Sequence, residues 1–280
     1  MEDLESEEVQ EKVLPTGKPH ISYSELREWW DCSYRHKLRH VQKIDLSKPS
    51  IHLVFGTATH AVAEHFLKTK EIDLTKAEKT LDEGYEKHGT LEDFVKNPKE
   101  KLMSSVQNIM NELPKFLDEK FPGWVTVDAE ELMYEDVKVL FEHHAGLKFK
   151  GYIDCIIKVP GKKEGQFLYW IIDFKTANRP WNREAMSDEK KRAQLVLYKK
   201  IWSNKHEIPI KDIRCGFITL LKTGKSGKLC ALIPVSVGEV TITRVLKVLN
   251  NSLTSITKGV AIKNRNSCTY CDYKDTEHCK

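Results

Sequence analysis

The chain contains 280 residues, of which 40% are hydrophobic and 31% are charged, and its formal net charge is +4. This composition predicts a globular protein with an ample core, and no apolar run reaches the length of a membrane span. The acidic start, MEDLESEEVQEK, is the reverse of a signal peptide, so we expect a cytoplasmic or nuclear protein without a membrane partner. In such a reducing compartment, the seven cysteines argue against a disulfide framework.

The N-terminal part of the chain is predicted to be helical. Residues 1–20 are expected to form a disordered acidic leader, and residues 21–280 are expected to form a single domain. A helix is predicted over 21–40, with the hydroxyl of Ser22 or Ser24 as its N-cap.

Further helices are predicted before the first strands. The segment 56–68 reads as a helix whose apolar row is Ala58, Val62 and Phe66, spaced four residues apart. Residues 70–120 read as a helical insertion made of two helices.

The C-terminal half alternates strands and helices, which predicts a mixed α/β fold. Its predicted strands lie at 125–141, 151–158, 169–176, 213–221 and 229–237, its helices at 184–206 and 240–258, and a cysteine-rich tail at 259–280.

The second and third of these strands are predicted to form a hairpin centred between residues 163 and 164. In that register Asp154 faces Asp173 and Tyr152 faces Lys175, so two carboxylates and an amine share one face of the sheet. Charges in apolar strands are costly unless they are paired or bound to metal, and oxygen ligands suit Mg²⁺ or Mn²⁺. A buried Asp–Lys ion pair is the alternative interpretation.

Four polar motifs follow one another along the chain on the expected kinds of element. They are Gly56 with His60 and Glu64, Gly151 with Asp154, Asp173 with Lys175, and Gln194 with Tyr198. In this order the chain resembles the PD-(D/E)XK nuclease superfamily and, within it, the RecB-like branch that includes the Cas4-like exonucleases. The resemblance covers residues 21 to 280 and implies a restriction-endonuclease-like core, with a mixed central sheet flanked by helices.

The resemblance also implies a metal site. Its ligands would be His60, Asp154, Asp173 and the main-chain carbonyl of Phe174, and its ion would be Mg²⁺ or Mn²⁺. Such an ion lowers the pKa of a bound water and polarises a phosphodiester oxygen.

Four further residues complete the implied catalytic set. Lys175 would orient the attacking water or stabilise developing charge, and Gln194 and Tyr198 would position the phosphate or Lys175. Glu64 would join His60 on its helix. The alternatives are a surface helix pair for His60 and Glu64, and ordinary helix-surface residues for Gln194 and Tyr198.

The cysteine-rich tail has the spacing C-x2-C-x7-C, which leaves a four-ligand site one sulfur short. The resemblance implies that an N-terminal cysteine supplies it and that the site holds a [4Fe-4S] cluster. The implied ligands are Cys32, Cys268, Cys271 and Cys279. Four thiolates also suit Zn²⁺, with His278 as a possible substitute for Cys279, and free cysteines are the third reading. The strand cysteines Cys155, Cys215 and Cys230 are expected to be buried thiols.

Two basic clusters are candidates for binding DNA phosphates, although such runs are often only solvated faces. Their members are Arg35, Lys37 and Arg39, and Lys190, Lys191 and Arg192. The function predicted from the sequence is a Mg²⁺- or Mn²⁺-dependent single-strand DNA exonuclease in repair, recombination or replication, with a helicase or recombination protein as a possible partner. A catalytically silent DNA-binding or repair scaffold of the same fold, or an RNA nuclease, is the alternative.

Overall fold

The computed structural model of the protein describes residues 11–223 and 228–280. Its helices there are α1 (Tyr23–Asp31), α2 (Ser33–His36), α3 (Ile51–Thr69), α4 (Thr75–His88), α5 (Glu92–Val95), α6 (Lys99–Lys120), α7 (Arg183–Ser187), α8 (Glu189–Lys205) and α9 (Glu239–Thr257). Its strands are β1 (His20–Ser22), β2 (Val125–Asp128), β3 (Glu131–Asp136), β4 (Lys148–Ile153), β5 (Cys155–Pro160), β6 (Phe167–Ala177), β7 (Ile213–Leu221) and β8 (Cys230–Val235). The predicted mixed α/β class is confirmed. No helix in these ranges is long and apolar enough to cross a membrane.

The described chain forms two compact units. The first combines the described residues up to Ser47 with Leu132–Gly151 and Glu239–Lys280, and the second combines Lys48–Glu131 with Tyr152–Gly238.

The first unit contains a three-stranded sheet in the order β1-β4-β3, with β1 parallel to β4. Residues 1–10 of the predicted leader lie outside the described residues. The remainder of that segment packs onto this unit, since Leu14 is only 3% exposed and the Lys12 N–H donates to the Gly146 carbonyl. Burial of an apolar side chain therefore orders a segment that composition alone assigned to the leader.

The helix predicted over 21–40 is not continuous. Ser22 caps α1 as predicted, its hydroxyl accepting the Glu25 N–H at 3.2 Å. Cys32 then adopts an extended conformation, with φ −161° and ψ 107°, and ends α1 before α2 begins. The Cys32 thiol accepts the Asn264 N–H at 3.3 Å, so a contact distant in sequence replaces helical continuity at this residue.

The second unit contains a five-stranded sheet in the order β2-β5-β6-β7-β8. The strands β5 and β6 are antiparallel, from Cys155 opposite Ile172 to Pro160 opposite Phe167, which is the predicted hairpin register. The next strand, β7, is parallel to β6, and α8 makes the crossover between them.

The strand predicted over 151–158 is divided at Asp154, which forms a bend between β4 and β5. The cause is a side-chain contact, because Asp154 Oδ2 accepts the Phe174 N–H at 2.7 Å. The carboxylate thereby takes a donor that a continuous strand would bind through its backbone. The predicted pairing of Tyr152 with Lys175 is therefore wrong, since Tyr152 lies on β4 and Lys175 on β6.

Helices pack on both faces of the second unit's sheet. The predicted apolar row of Ala58, Val62 and Phe66 is buried, in a cluster that also contains Phe174 and Ile218. The helix predicted over 184–206 is divided at Asp188, whose carboxylate caps α8 by accepting the Lys190 and Lys191 N–H groups.

A glycine sets how closely α3, which carries His60, approaches α4. A Cβ added at Gly84 would lie 2.6 Å from Val54 Cγ1. Alanine gains about 1 kcal/mol of helix propensity over glycine, but an atom forced into a packed core costs about 1–3 kcal/mol. We expect Gly84→Ala to lower the free energy of unfolding, measured with urea, by about 1 kcal/mol.

The matched control is Gly238→Ala, because an added Cβ there meets nothing within 4 Å. Its free energy of unfolding should change by less than about 0.5 kcal/mol. A Gly84→Ala protein more stable than its parent would show that Val54 moves aside at no cost.

Candidate metal-dependent active site

Two aspartates and a lysine form the centre of the site. Asp154 lies at the bend before β5, where the Phe174 N–H holds one of its oxygens. Asp173 and Lys175 project from the same face of β6, and their Oδ2 and Nζ atoms are 2.6 Å apart. The side chain of Asp173 is only 2% exposed, and a carboxylate buried to this extent is costly without a partner such as that lysine. The ion pair of the alternative interpretation therefore exists, beside a second carboxylate.

His60 reaches this centre from the middle of α3. Its Nδ1 lies 3.6 Å from Asp154 Oδ2, and its ring meets the edge of Phe174 at a centroid distance of 6.1 Å. Burial lowers the pKa of His60, although the Asp173 carboxylate opposes the shift. The lowered pKa favours neutral imidazole, which is the form that binds a metal.

Glu130 completes a group of possible metal ligands that the sequence reasoning missed. One ligand atom from each of His60, Glu130 and Asp154 lies within 4.8 Å of the other two. Glu130 follows β2 with a left-handed φ of 57°, and its N–H donates to the Asp154 carbonyl at 3.3 Å. The sequence indicated this ligand only through the adjacent acidic residues Glu130 and Glu131. Glu131 does not join the ligand group, because its carboxylate accepts hydrogen bonds from Trp202, Lys205 and His206.

The carboxylates at this site disfavour one another's ionisation. Burial and the neighbouring Asp173 hold the pKa of Asp154 well above its usual value. Burial and then the Glu64 carboxylate raise the pKa of Glu130. A divalent cation would relieve this repulsion and would satisfy the oxygens together with the His60 nitrogen. The donor set therefore fits Mg²⁺ or Mn²⁺.

The predicted partners of the lysine lie beside it on α8. Lys175 Nζ donates to Gln194 Oε1 at 3.2 Å, and Gln194 Nε2 donates to the Tyr198 hydroxyl at 3.2 Å. Burial raises the pKa of Tyr198, so this hydroxyl is neutral. Together these two hydrogen bonds orient the Gln194 amide so that its oxygen faces the Lys175 ammonium.

Glu64 lies one turn beyond His60 on α3, where its carboxylate pairs with Lys68 at 2.6 Å. Its influence on the site is electrostatic, through Glu130. Its predicted catalytic role stays a prediction.

The structure gives most of the predicted DNA-binding cations partners within the protein. Their contacts are Arg35 with Glu28 and Asp31, Arg39 with Glu28 and Asp45, Lys191 with Asp188, and Arg192 with the Ser236 carbonyl. A phosphate would have to compete with these contacts. The DNA-binding role of these residues, and of Lys37 and Lys190, stays a prediction.

The four predicted cluster ligands come together in the first unit. Cys32, Cys268, Cys271 and Cys279 all line one cavity of about 320 Å³. The tail that carries three of them is anchored, because the Tyr273 hydroxyl donates to the Ile44 carbonyl and the Tyr34 hydroxyl to the His278 carbonyl. The remaining cysteines, Cys155, Cys215 and Cys230, are buried thiols as predicted, and burial raises their pKa values.

Comparison with known proteins identifies the family. The model of the PD-(D/E)XK nuclease superfamily matches residues 20–276. The chain belongs to this superfamily. Its fold is also similar to the crystal structure of a protein from Eubacterium rectale that is provisionally named an exonuclease, with a TM-score of 0.55 and 11% identity over 91% of this chain and 88% of that one. No curated protein sequence matches the chain.

Membership of the PD-(D/E)XK superfamily supports a hydrolytic nuclease, and its members use divalent metal ions. The carboxylate and imidazole group described above is suited to such an ion. The fold class implied by the sequence motifs is thereby confirmed.

The contribution of Glu130 can be measured by metal binding alone. We expect Glu130→Gln to weaken Mn²⁺ binding, followed by calorimetry or by electron paramagnetic resonance, by about tenfold or more, because an amide oxygen carries no charge. Glu71→Gln is the matched control, since Glu71 is exposed and outside the ligand group. Equal Mn²⁺ affinity in the parent and the Glu130→Gln protein would remove Glu130 from the site.

We expect most of the increase in melting temperature on metal binding to depend on Asp154. Binding to the folded state alone stabilises by mass action, so saturating Mg²⁺ or Mn²⁺ should raise the melting temperature of the parent. Asp154→Asn removes a ligand and also one member of the repelling pair. Its metal-free protein should be at least as stable as the parent and should gain little from metal. A full metal-induced rise in that variant would contradict the assignment.

Proposed function

We propose that the protein is a Mg²⁺- or Mn²⁺-dependent deoxyribonuclease of the RecB-like branch that acts as an exonuclease on single-stranded DNA. The observation that carries this proposal is the group of His60, Glu130 and Asp154 beside the Asp173–Lys175 ion pair. Superfamily membership supports the hydrolytic chemistry. We assign the protein to DNA repair, recombination or replication, where free single strands and DNA ends occur.

The bound ion would lower the pKa of a water and polarise the scissile phosphodiester. His60, Glu130 and Asp154 would hold it, together with the predicted ligands Asp173 and the Phe174 main-chain carbonyl. The chain's own contribution to charge stabilisation is Lys175, whose compact ammonium is directed by Asp173 and by the Gln194 oxygen. An ammonium fixed in advance stabilises developing negative charge without reorganising during the reaction.

A silent DNA-binding or repair scaffold of the same fold is the second candidate. Against it stands the cost of the site, since burial and Asp173 raise the pKa of Asp154 and burial also raises that of Glu130. A protein that only binds DNA gains nothing from such crowding. An RNA nuclease would use the same catalytic residues, so the substrate has to be tested directly.

The deciding experiment presents four labelled substrates with Mg²⁺ or Mn²⁺: linear single-stranded DNA, circular single-stranded DNA, duplex DNA and RNA. The proposal predicts cleavage of the linear single strand from an end and sparing of the circle. Cutting of the circle would establish endonuclease action, and cutting of RNA alone would establish a ribonuclease. The helicase or recombination partner predicted from the sequence would supply such a single strand from duplex DNA.

We also propose that the four-cysteine cavity holds a [4Fe-4S] cluster. A single zinc ion with sulfur ligands at about 2.3 Å draws all four sulfurs within roughly 4 Å of one another. Among the described residues, no three of these sulfur atoms lie within 4.8 Å of one another, and the cavity that they line measures about 320 Å³. That spacing supports the larger cubane cluster. Its role would be structural, since phosphodiester hydrolysis transfers no electron.

The catalytic assignment predicts that Lys175→Ala abolishes cleavage while DNA binding changes little, although the melting temperature falls because the buried Asp173 carboxylate loses its partner. The reason is that Lys175 acts on charge that develops only during the reaction. Lys175→Arg should not restore cleavage, because a planar guanidinium does not replace a compact ammonium. Lys158→Ala on β5 is the matched control and should cut at the parental rate. A Lys175→Ala protein with parental activity would refute the assignment.

The cluster assignment predicts that anaerobically purified protein is brown, absorbs broadly in the visible range and contains about four irons and four sulfides per chain. Cys32→Ser should lose most of the iron and melt at a lower temperature, because the site couples distant parts of the chain to folding. The Cys215→Ala protein should have the same iron content as the parent, because Cys215 is a buried thiol of the second unit. A colourless parent with one zinc per chain would overturn the cluster and retain the four-cysteine site.

A further inference from the structure

An aromatic side chain outside the predicted catalytic set lies close to the active-site lysine. Trp181 belongs to the loop between β6 and α7, and its ring lies 5.3 Å from the ring of Phe217. Phe217 pairs with Asp173 across the parallel strands β6 and β7, and its ring lies 5.9 Å from Lys175 Nζ. One aromatic ring therefore separates Trp181 from the ammonium that is proposed to act on the phosphodiester.

Two arginines, one in this loop and one at the start of α7, carry charges that have no partner among the described residues. Arg179 and Arg183 flank Trp181 in sequence, and both are exposed. Within residues 11–223 and 228–280, neither has an ion-pair or hydrogen-bond partner for its side chain. Arg35 and Arg39, by contrast, are bound to carboxylates.

Trp181 is also in contact with a third cation. Lys191 Nζ lies 4.8 Å from the centroid of the indole ring. The arrangement combines a partly exposed, polarisable ring with the Lys191 ammonium beside it and with two exposed arginines close to it in the sequence. A nucleobase joined to phosphates is the chemical class that matches both features, because any base can stack on an aromatic ring while cations contact the flanking backbone.

We propose that Trp181 stacks against one unpaired base of the substrate and that Arg179 and Arg183 bind the phosphates on either side of it. This inference rests on the proposed nuclease function and names the substrate feature that the site recognises. A base offers a free face to stack against this ring when it is not held in a duplex, so the contact selects a single strand. The base concerned lies near the scissile phosphate, because Phe217 joins Trp181 to the neighbourhood of Asp173 and Lys175.

The parental protein can test this without any variant. The probe is a labelled oligothymidylate in which a single abasic site is moved along the strand, with Ca²⁺ in place of Mg²⁺ and strand integrity checked on a gel. Loss of a stacked base should weaken binding about five- to one-hundredfold at one position and little elsewhere. A profile with the same affinity at every abasic position would overturn the proposal.

A thermodynamic cycle then assigns the effect to Trp181. In Trp181→Ala the abasic penalty at the sensitive position should fall below about twofold, because the partner of the base is gone. Trp181→Phe should restore part of it. Phe167→Ala is the matched control, since Phe167 is an exposed aromatic beside the Lys158 ammonium at the opposite end of β6, and it should keep the full profile. An unchanged profile in Trp181→Ala would overturn the assignment.

The arginines are tested by salt dependence. The logarithm of the DNA affinity falls as the logarithm of the salt concentration rises, by about 0.7 per phosphate contact for single strands. Replacing both Arg179 and Arg183 with Gln should therefore make this slope shallower by about 0.7 per arginine. Lys163→Gln, at the exposed turn between β5 and β6, should leave the slope unchanged. An unchanged slope in the double variant would overturn the phosphate contacts.

Failure of this inference can be distinguished from failure of the proposed function. A protein that cleaves DNA with a flat abasic profile refutes the stacking contact alone. A protein that binds with a profile dependent on Trp181 but cuts no nucleic acid refutes the nuclease and retains the contact. A protein that does neither refutes both.

Discussion

The hydrogen bond from the Phe174 N–H to Asp154 Oδ2 is the constraint on which the candidate site depends. It ends one strand and begins another at the Asp154 bend, and it turns this carboxylate toward β6. Because the β5–β6 ladder starts one residue later, at Cys155 opposite Ile172, Asp154 comes to lie beside Asp173. A strand without that break would have used its backbone to bind Phe174. The local disruption of the sheet is therefore what creates the group of ligands.

The resulting site is destabilising in the absence of a cation. Burial and Asp173 raise the pKa of Asp154, while burial and Glu64 raise that of Glu130, so the ionised form of each carboxyl group is disfavoured in the metal-free protein. Lys175 neutralises Asp173 at 2.6 Å, and its contact with Gln194 fixes its direction. A divalent ion would complete the neutralisation that one ammonium begins. Such local cost is characteristic of sites maintained for chemistry.

The register of the β5–β6 hairpin was predictable, because turn residues and alternating strand patterns act over short distances, whereas its extension to Tyr152 and Lys175 was wrong. The break at Cys32 was not predictable, since it depends on a contact with Asn264. Glu130 was missed for a similar reason: only the paired strands bring it to Asp154, and its left-handed backbone is a tertiary feature. The cations at Arg35 and Arg39 looked available in the sequence, whereas folding brings them to Glu28. Charge patterns thus predict contacts poorly where a break in a helix, here at Cys32, brings the partners together.

The strand β6 connects the chemistry to the substrate contact that we infer. It supplies Asp173 and Lys175, and the loop that follows it supplies Trp181. Parallel strands such as β6 and β7 end on the same side of a sheet, where loops of open α/β folds commonly bind ligands. A loop at that edge stays close to the reacting group because the sheet fixes its origin. The ring of Phe217 is 1% exposed and lies between the lysine and the indole, so it would keep the inferred base near the ammonium without occupying the candidate metal site. Position along one strand would therefore account for both the proposed reaction and the inferred selection of an unpaired base.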